Sequence, residues 1–287
     1  MFLHRGEPLG PHHIVLANLL KLRGHQQFWS SHGISLWRIA HHRLQMRQLI
    51  LDQDPLPESS QWIEYLDLSD PSFHIASDNL QVQRVCCRYR HLIEVQSYSQ
   101  QDINDLSNSF QALFESMEAW KSNVASEWQA RSSPVGREIQ QLSSTWNLPP
   151  AWRPRLYHDV WVSYEWCFHD IGQIILREKF IDSMYLVGSA STYGENTETQ
   201  ITQQIDAIEE VSRRLLETLA GMLEIVRQQE VRLPGTMSSE RLGLFFSLSA
   251  CWVLQRGKYV ALEKKILAQN MLAWIRSRSP MPGPSSQ

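Results

Sequence analysis

The feature that most constrains the fold of this chain is a long apolar stripe between Gln101 and Arg131. Successive apolar residues are separated by 3, 4, 3, 4, 3, 4 and 4 positions, at Ile103, Leu106, Phe110, Leu113, Met117, Trp120, Val124 and Trp128. This spacing follows the repeat of an α-helix and not the two-residue alternation of a strand. It predicts one long amphipathic helix, whose apolar face must be buried against other helices.

The other apolar segments are also typical of helices. Beyond a helical pair in the first 50 residues, the sequence predicts helices at 58–68, from Asp78 onward, and at 156–185, 201–230, 239–255 and 259–276. It predicts a breaker at 54–57, a polar loop at 189–200 and a turn at 233–235. No segment indicates a strand or a repeat of fixed period, and the 13 glycines and 13 prolines are few for an all-β or βαβ design. We therefore predict an all-α fold, either an irregular multi-helix bundle or an α-solenoid-like domain.

The length of 287 residues allows one or two domains. The segment Leu148-Pro149-Pro150-Ala151-Trp152-Arg153-Pro154 predicts a rigid connector, which makes 148–155 the best candidate for a subdomain break. Residues 277–287 are rich in Ser and Pro, and we predict that they form a disordered tail after a helical domain of residues 1–276.

Charge and composition exclude several functional classes. The formal net charge of −3 provides no overall electrostatic reason to bind nucleic acid. The first 50 residues hold six Lys or Arg against one acid, and we expect acidic neighbours in space to balance them. No apolar run approaches the roughly 20 residues that a membrane span needs, and the N-terminus lacks the hydrophobic region of a secretion signal. The four cysteines fit a reducing compartment with buried thiols.

The opening segment, His12 to Ile50, predicts a helix-turn-helix corner packed by aromatic residues. The first helix places its leucines and isoleucine on one broad apolar side that we expect only to pack, at Ile14, Leu16, Leu19, Leu20 and Leu22. Gly24 occupies the position of a C-cap glycine, because glycine enters the left-handed region without steric cost. A short turn follows, with Phe28 and Trp29 as its anchors, and Gly33 breaks it. The second long helix has Ile34, Trp37, Ala40 and Leu44 on its apolar face.

These residues also carry a family resemblance. The segment from Leu19 to Trp37 resembles a motif of the regulatory domain in fungal zinc-cluster transcription factors, L-L-x-L-R-G-x-x-Q-F-x-S-x-x-G-x-x-L-[FW]. The matching residues are Leu19-Leu20-Lys21-Leu22-Arg23-Gly24, Gln27-Phe28, Gly33 and Leu36-Trp37. Weaker similarity to that domain continues through Pro55-Leu56-Pro57 with Trp62, and through 106–128, 160–181, 233–254 and 261–273. The resemblance implies a nuclear protein that regulates transcription by RNA polymerase II. It also implies partners among the proteins of the transcription machinery or a small effector, with a homodimer as an open alternative.

The cysteine-rich zinc cluster that reads DNA in this family is absent from the sequence. Cys86 and Cys87 are adjacent, whereas Cys167 and Cys251 are each isolated, so no C-x-x-C pair exists. We therefore expect no direct DNA binding by this chain alone, and we interpret the chain as a fragment or a truncated relative.

The residues predict no catalytic, cofactor-binding or metal site. Seven of the eleven histidines precede residue 43, but no H-E-x-x-H motif occurs. Cys167, His169 and Asp170 fail as a nucleophilic set because neighbours on a helix diverge, and Glu165 with His169 is interpreted as a surface contact. We expect no cofactor.

Two other functional classes stay open from the sequence. One is a stand-alone helical interaction scaffold with no DNA role. The other is an all-α enzyme of the terpene-synthase type, whose aspartate-rich motif is approached by Asp67-Leu68-Ser69-Asp70 and Asp102-Ile103-Asn104-Asp105. Each of these stretches lacks the doubled aspartate, and both also fit capping of a helix N-terminus.

Overall fold

The computed structural model describes residues 12–95, 98–131, 146–188, 195–232 and 241–278. Within these ranges the chain forms nine α-helices, two short 3₁₀ helices and no strand. The predicted all-α fold is thereby confirmed.

The α-helices in chain order are α1 His12–Arg23, α2 Ser31–Ile50, α3 Ser59–Glu64, α4 Pro71–Val95, α5 Gln100–Asn123, α6 Val160–Gly188, α7 Glu195–Arg232, α8 Arg241–Arg256 and α9 Leu262–Arg278. The 3₁₀ helices are Gly24–Trp29 and Ser126–Trp128.

Helix α5 carries the apolar stripe that predicted the fold class. Its side chains are buried at Leu106, Phe110, Leu113, Met117 and Trp120. The start is set by Ser99, which forms a reciprocal capping box with Asp102. The predicted end at Arg131 is wrong, because Val124 is already extended, at φ −61° and ψ 136°. Val124 is nevertheless buried, so the stripe continues past the last helical turn.

Two other helices begin earlier than the sequence predicts. Helix α4 starts at Pro71 instead of Asp78, because the Asp70 carboxylate accepts a hydrogen bond from the backbone N–H of Ser72 at 2.9 Å. Helix α7 starts at Glu195, so the end of the predicted polar loop is helical. The rest of that loop, 189–194, and the predicted turn at 233–235 lie outside the described residues. Helix α9 includes the first two residues of the predicted tail, and residues 279–287 also lie outside the described ranges.

The chain forms two compact units. The first comprises Met1–Val124 and Ile175–Gln204, and the second comprises Ala125–Ile174 and Ile205–Gln287. Helices α6 and α7 each contribute residues to both units. The candidate break at 148–155 lies within the second unit.

The first unit is built on aromatic packing. One cluster of its buried side chains joins residues of α1, α2, α3 and α4, namely Leu20, Trp37, Leu44, Trp62 and Phe73. Elsewhere in this unit the Phe180 ring meets the rings of Phe110 and Phe114 edge-on, at centroid distances of 5.4 and 5.5 Å. Aromatic side chains bury a large area each, so few of them are needed to hold these helices together.

The second unit also has aromatic contacts between its helices. Tyr164 of α6 stacks on Phe246 of α8 at 4.2 Å, and Trp146 meets Trp274 of α9 edge-on at 5.0 Å. The backbone N–H of Arg155 donates to the carbonyl oxygen of Glu217 in α7 at 2.9 Å. This approach needs a glycine at 221, since a β-carbon there would lie 2.0 Å from the Arg155 carbonyl oxygen.

Candidate functional site

The corner between α1 and α2 is closed by one buried glutamine. Gly24 has φ +52°, which confirms the C-cap predicted for it. The Gln27 side chain, 1% exposed, then folds back and donates from Nε2 to the carbonyl oxygens of Leu20 at 3.4 Å and Gly24 at 2.7 Å. These carbonyls lie at or beyond the end of α1, where no helical N–H can reach them. Gln27 therefore provides hydrogen bonds to carbonyl groups at the end of α1, where Gly24 ends the helix.

Helix α2 begins with a cap and a close contact. The Ser30 hydroxyl oxygen accepts a hydrogen bond from the N–H of Gly33 at 3.1 Å. Gly33 lies inside the first turn of α2, so its predicted role as a breaker is wrong. A glycine is needed here because the backbone of Gln27 passes so close that a β-carbon at position 33 would lie 2.1 Å from the Gln27 carbonyl oxygen.

Trp37 is the centre of the packing at the corner. Its side chain is completely buried and stacks on His41 at 4.4 Å, while Phe28 and Phe73 meet it edge-on at 5.4 and 6.0 Å. Burial and the neighbouring His42 lower the pKa of His41 well below its ordinary value. His41 is therefore a neutral aromatic packing partner at neutral pH.

The outer face of α1, defined by Val15, Leu19 and Leu22, is exposed. These side chains are 57%, 49% and 85% exposed, whereas Leu20 on the opposite side of the helix is buried. The prediction that the broad apolar side of α1 only packs is thus wrong for Leu19 and Leu22, and also for Ile14, which is exposed. The spacings of four and three residues place the outer face along one line of the helix.

Other apolar residues around the corner are exposed as well. Trp29 is 72% exposed and contacts His25 at 5.3 Å, so its predicted role as an anchor is wrong, whereas Phe28 packs against the core as predicted. Leu36 and Ile39, three residues apart on α2, are also exposed. A continuous exposed apolar line, such as Val15, Leu19 and Leu22 on α1, marks an interaction site more often than isolated exposed leucines do.

Acidic neighbours balance part of the positive charge of the corner, as the sequence analysis expects. Lys21 pairs with Glu58 at 3.0 Å, and Arg38 pairs with Asp70 at 2.9 Å. Arg23, next to Leu22 in the last turn of α1, is exposed. No Asp or Glu occurs between residues 12 and 50, so the only charged side chains of α1 itself are basic.

A buried polar cluster occupies the second unit, around the three residues considered above as a nucleophilic set. The Asp170 carboxylate accepts hydrogen bonds from Arg214 Nε and Nη2 at 2.6–3.1 Å, and its Oδ1 lies 3.2 Å from His169 Nδ1. Glu165 and His169 are both completely buried, so their interpretation as a surface contact is wrong. Burial raises the pKa of the Cys167 thiol well above its ordinary value, which suppresses its nucleophilic form. The geometry supports an internal ion pair more than a catalytic set.

The aspartates considered for an enzyme act at helix ends. Asp70 caps α4 and pairs with Arg38, and Asp102 belongs to the capping box of α5. Asp67 accepts a hydrogen bond from the Ser69 N–H at 2.9 Å, and Asp105 pairs with Arg88 at 3.7 Å. The capping roles predicted for both stretches are confirmed.

The described part of the chain has neither a metal-binding cluster nor a membrane-spanning helix. Among these residues no group of three or more His, Cys, Asp or Glu side chains is arranged to hold a metal ion. No described helix has the length and apolar character needed to cross a membrane.

Comparison with known proteins provides no relative for this chain. No protein-family model, curated protein or solved structure matches it. The outer face of α1 is the candidate interaction surface, and the sequence-based prediction placed two of its residues, Leu19 and Leu22, in the core. The sequence shows that Val15, Leu19 and Leu22 form one stripe while Leu16 and Leu20 form another on the other side of the helix, but it does not say which stripe meets the core.

Proposed function

We propose that this chain is a helical regulatory domain of the fungal zinc-cluster transcription factor type. In this proposal it acts in the nucleus on transcription by RNA polymerase II, through a bound protein partner. It has no DNA-binding module of its own within this chain. The proposed role in transcription is based on the resemblance of residues 19–37 to the family motif.

One observation carries the partner-binding part of the proposal. The motif residues divide into two groups with different physical roles. Leu20, Gly24, Gln27, Gly33 and Trp37 build the corner, and their packing and hydrogen bonds account for their residue types. Leu19, Leu22 and Leu36 are exposed, so packing among the described residues does not account for them. Burying Leu22 in a partner would contribute roughly 1.5–3 kcal/mol, a substantial part of a micromolar affinity.

A reporter experiment tests the proposal. The chain is fused to an unrelated DNA-binding domain in a fungal strain with a matching reporter gene. We expect reporter output to rise or fall several-fold relative to the DNA-binding domain alone. The double variant Leu19→Asp/Leu22→Asp should abolish that change, whereas Leu262→Asp, at a position 72% exposed in the second unit, should keep it. A folded, nuclear wild-type fusion that leaves the reporter unchanged would overturn the proposal.

The absence of direct DNA binding is tested separately with the purified chain. We expect no sequence-specific mobility shift on promoter fragments at near-physiological salt. A salt-dependent shift at nanomolar protein concentration on one promoter would contradict this part of the proposal.

The second candidate is a stand-alone interaction scaffold with no DNA role. The same exposed face favours it, since partner binding does not require a transcriptional setting. It predicts a protein partner that depends on Leu19 and Leu22 but an unchanged reporter. The terpene-synthase-type alternative has less support, because Asp70 and Asp102 are engaged in helix capping.

A further inference from the structure

We propose that the outer face of α1 binds an amphipathic helix that carries acidic side chains beside its own apolar stripe. This inference deepens the proposed function and rests on its partner-binding role. It concerns Val15, Leu19 and Leu22, together with Arg23 at the end of the same helix.

The shape of the face fits a helical partner. Spacings of four and three residues match the seam of a coiled coil, and at 100° per residue the three side chains fall within an arc of about 60°. Val15 and Leu22 are seven residues apart, so the seam runs along roughly 10 Å of the axis of α1. A partner helix of about two turns, with apolar residues at i, i+3 or i+4 and i+7, matches that length.

The outer face is also preorganised. The opposite side of α1 is held by the buried Leu20 and by the Gln27 side chain, which donates to the Leu20 carbonyl oxygen. Lys21 is held near α3 by its ion pair with Glu58. A helix held in this way needs no ordering when a partner binds, which favours affinity.

Charge favours an acidic partner. Lys21 and Arg23 lie in the last turn of α1, and no acid occurs between residues 12 and 50. Lys21 lies on the other side of the helix and pairs with Glu58, whereas Arg23 is exposed beside Leu22. Glutamates or aspartates that flank the apolar stripe of a partner would face Arg23.

The same charges disfavour the two other occupants. A second α1 helix packed on this face would offer Arg23 no carboxylate, because α1 contains no Asp or Glu, so a second copy leaves that charge unmatched. An anionic membrane would accept the charge, but interfacial helices present a broad apolar face. The seam of α1 is narrow, and its other side is already occupied by the core of the first unit.

A displayed library tests the proposal with the full chain. Library peptides have leucines fixed at helical spacing, with the flanking positions varied among acidic, basic and neutral residues. Selection uses the wild-type chain, with counter-selection against Leu22→Ser. We expect acidic flanks to be enriched. Enrichment of basic or neutral flanks, or of peptides that bind Leu22→Ser equally well, would overturn the proposal.

Fluorescence anisotropy with the selected peptide then measures the charge effect. We expect its affinity to fall about tenfold when its glutamates become glutamines, and to fall with added salt. Arg23→Glu should weaken binding by a similar factor, and Leu262→Ser should not change it. Equal affinities for the acidic and neutral peptides would overturn the proposal. Circular dichroism and urea midpoints confirm that each variant is folded.

The alternative occupants give different results. A dimer of the chain that Leu22→Ser dissociates in sedimentation would assign the face to a second copy. Binding to phosphatidylserine vesicles without peptide binding would assign it to a membrane. Either result overturns the proposal. If no acidic peptide binds but the reporter still depends on Leu19 and Leu22, this inference fails while the proposed function stands. If the reporter also stays unchanged, both fail.

Discussion

Gly33 lies so close to Gln27 that a β-carbon on Gly33 would be 2.1 Å from the Gln27 carbonyl oxygen. The same Gln27 closes the end of α1 through its side chain. The glutamine and the glycine thus depend on each other, and the corner between α1 and α2 depends on both.

We predict that Gly33→Ala destabilises the chain by about 3 kcal/mol, because the clashing atom belongs to the backbone and the first turn of α2 must shift. Gly24→Ala is the matched control. A β-carbon there meets nothing within 4 Å, so only the left-handed conformation is unfavourable, by about 1–2 kcal/mol. Urea unfolding measures both changes. A smaller loss of stability for Gly33→Ala than for Gly24→Ala would contradict the close approach.

The buried Asp170–Arg214 pair leads to a second prediction. Asp170→Asn should destabilise the chain by roughly 3–5 kcal/mol, because it leaves the Arg214 charge buried without its carboxylate. Glu210→Gln is the control, since Glu210 pairs with Arg213 at the surface and should contribute only about 0–1 kcal/mol. Urea unfolding at pH 7 measures both. Equal effects of the two substitutions would contradict the role of burial.

The same pair predicts a dependence on pH. Burial tends to raise the pKa of Asp170, but Arg214 and His169 outweigh it and lower that pKa below its ordinary value. The folded pKa thus lies below the unfolded value of about 3.9. The stabilisation is present above that value and is lost as pH falls through the folded pKa. We expect the difference in unfolding free energy between wild type and Asp170→Asn to shrink in acid. A difference that stays constant from pH 7 into acid would contradict this linkage.

Thiol labelling should distinguish one cysteine from the other three. Burial raises the pKa of Cys86 and of Cys251 to about 12 and that of Cys167 well above its ordinary value. Burial and the neighbouring Asp54 also raise the pKa of Cys87, but Cys87 is only half-buried, so a reagent can reach its thiol. The thiolate is the reactive form. At pH 8 we expect the folded chain to accept one label, at Cys87, and the urea-unfolded chain to accept four. Mass spectrometry counts the labels, and Cys87→Ser is the control. Labelling of Cys86 in the folded chain would show that its helix opens.

Asp52 combines a left-handed backbone with two ion pairs. It has φ +51°, and its carboxylate pairs with Lys179 at 2.6 Å and Arg90 at 3.1 Å. Asp52→Gly removes the ion pairs but relaxes the backbone, whereas Asp52→Ala removes the ion pairs and keeps the unfavourable φ. We expect the Asp52→Ala variant to have a free energy of unfolding about 1 kcal/mol lower than that of the Asp52→Gly variant. Urea midpoints at low and high salt test this order, and the wild type should lose more stability than either variant as salt screens the two ion pairs of Asp52.

The helices were predictable because their signal is local. The stripe of α5 and the cap at Gly24 depend on residues within a few positions of one another, and both are present in the structure. Helix ends were less predictable. The end of α5 at Asn123 and the early start of α7 fall inside continuous helical or polar patterns, where periodicity alone marks no boundary.

The candidate site was predictable only in part. The sequence marked residues 12–50 as the most distinctive segment, and it correctly placed Gly24, Phe28 and Trp37 in the corner. It did not show that Leu19 and Leu22 are exposed. Both are apolar residues in a helix rich in leucine, and no pattern within that helix says which of its sides meets the core.

By itself, then, the sequence determined that this chain is helical and where most of its helices lie, because helical periodicity depends on the spacing of apolar residues that are close in the chain. The tertiary structure decided the rest. It decided which face of α1 is buried, that Gly33 provides space instead of breaking a helix, and that Glu165 and His169 lie inside the second unit. Each of these depends on contact with residues distant in the chain, and a periodic pattern records only which side chains share a face.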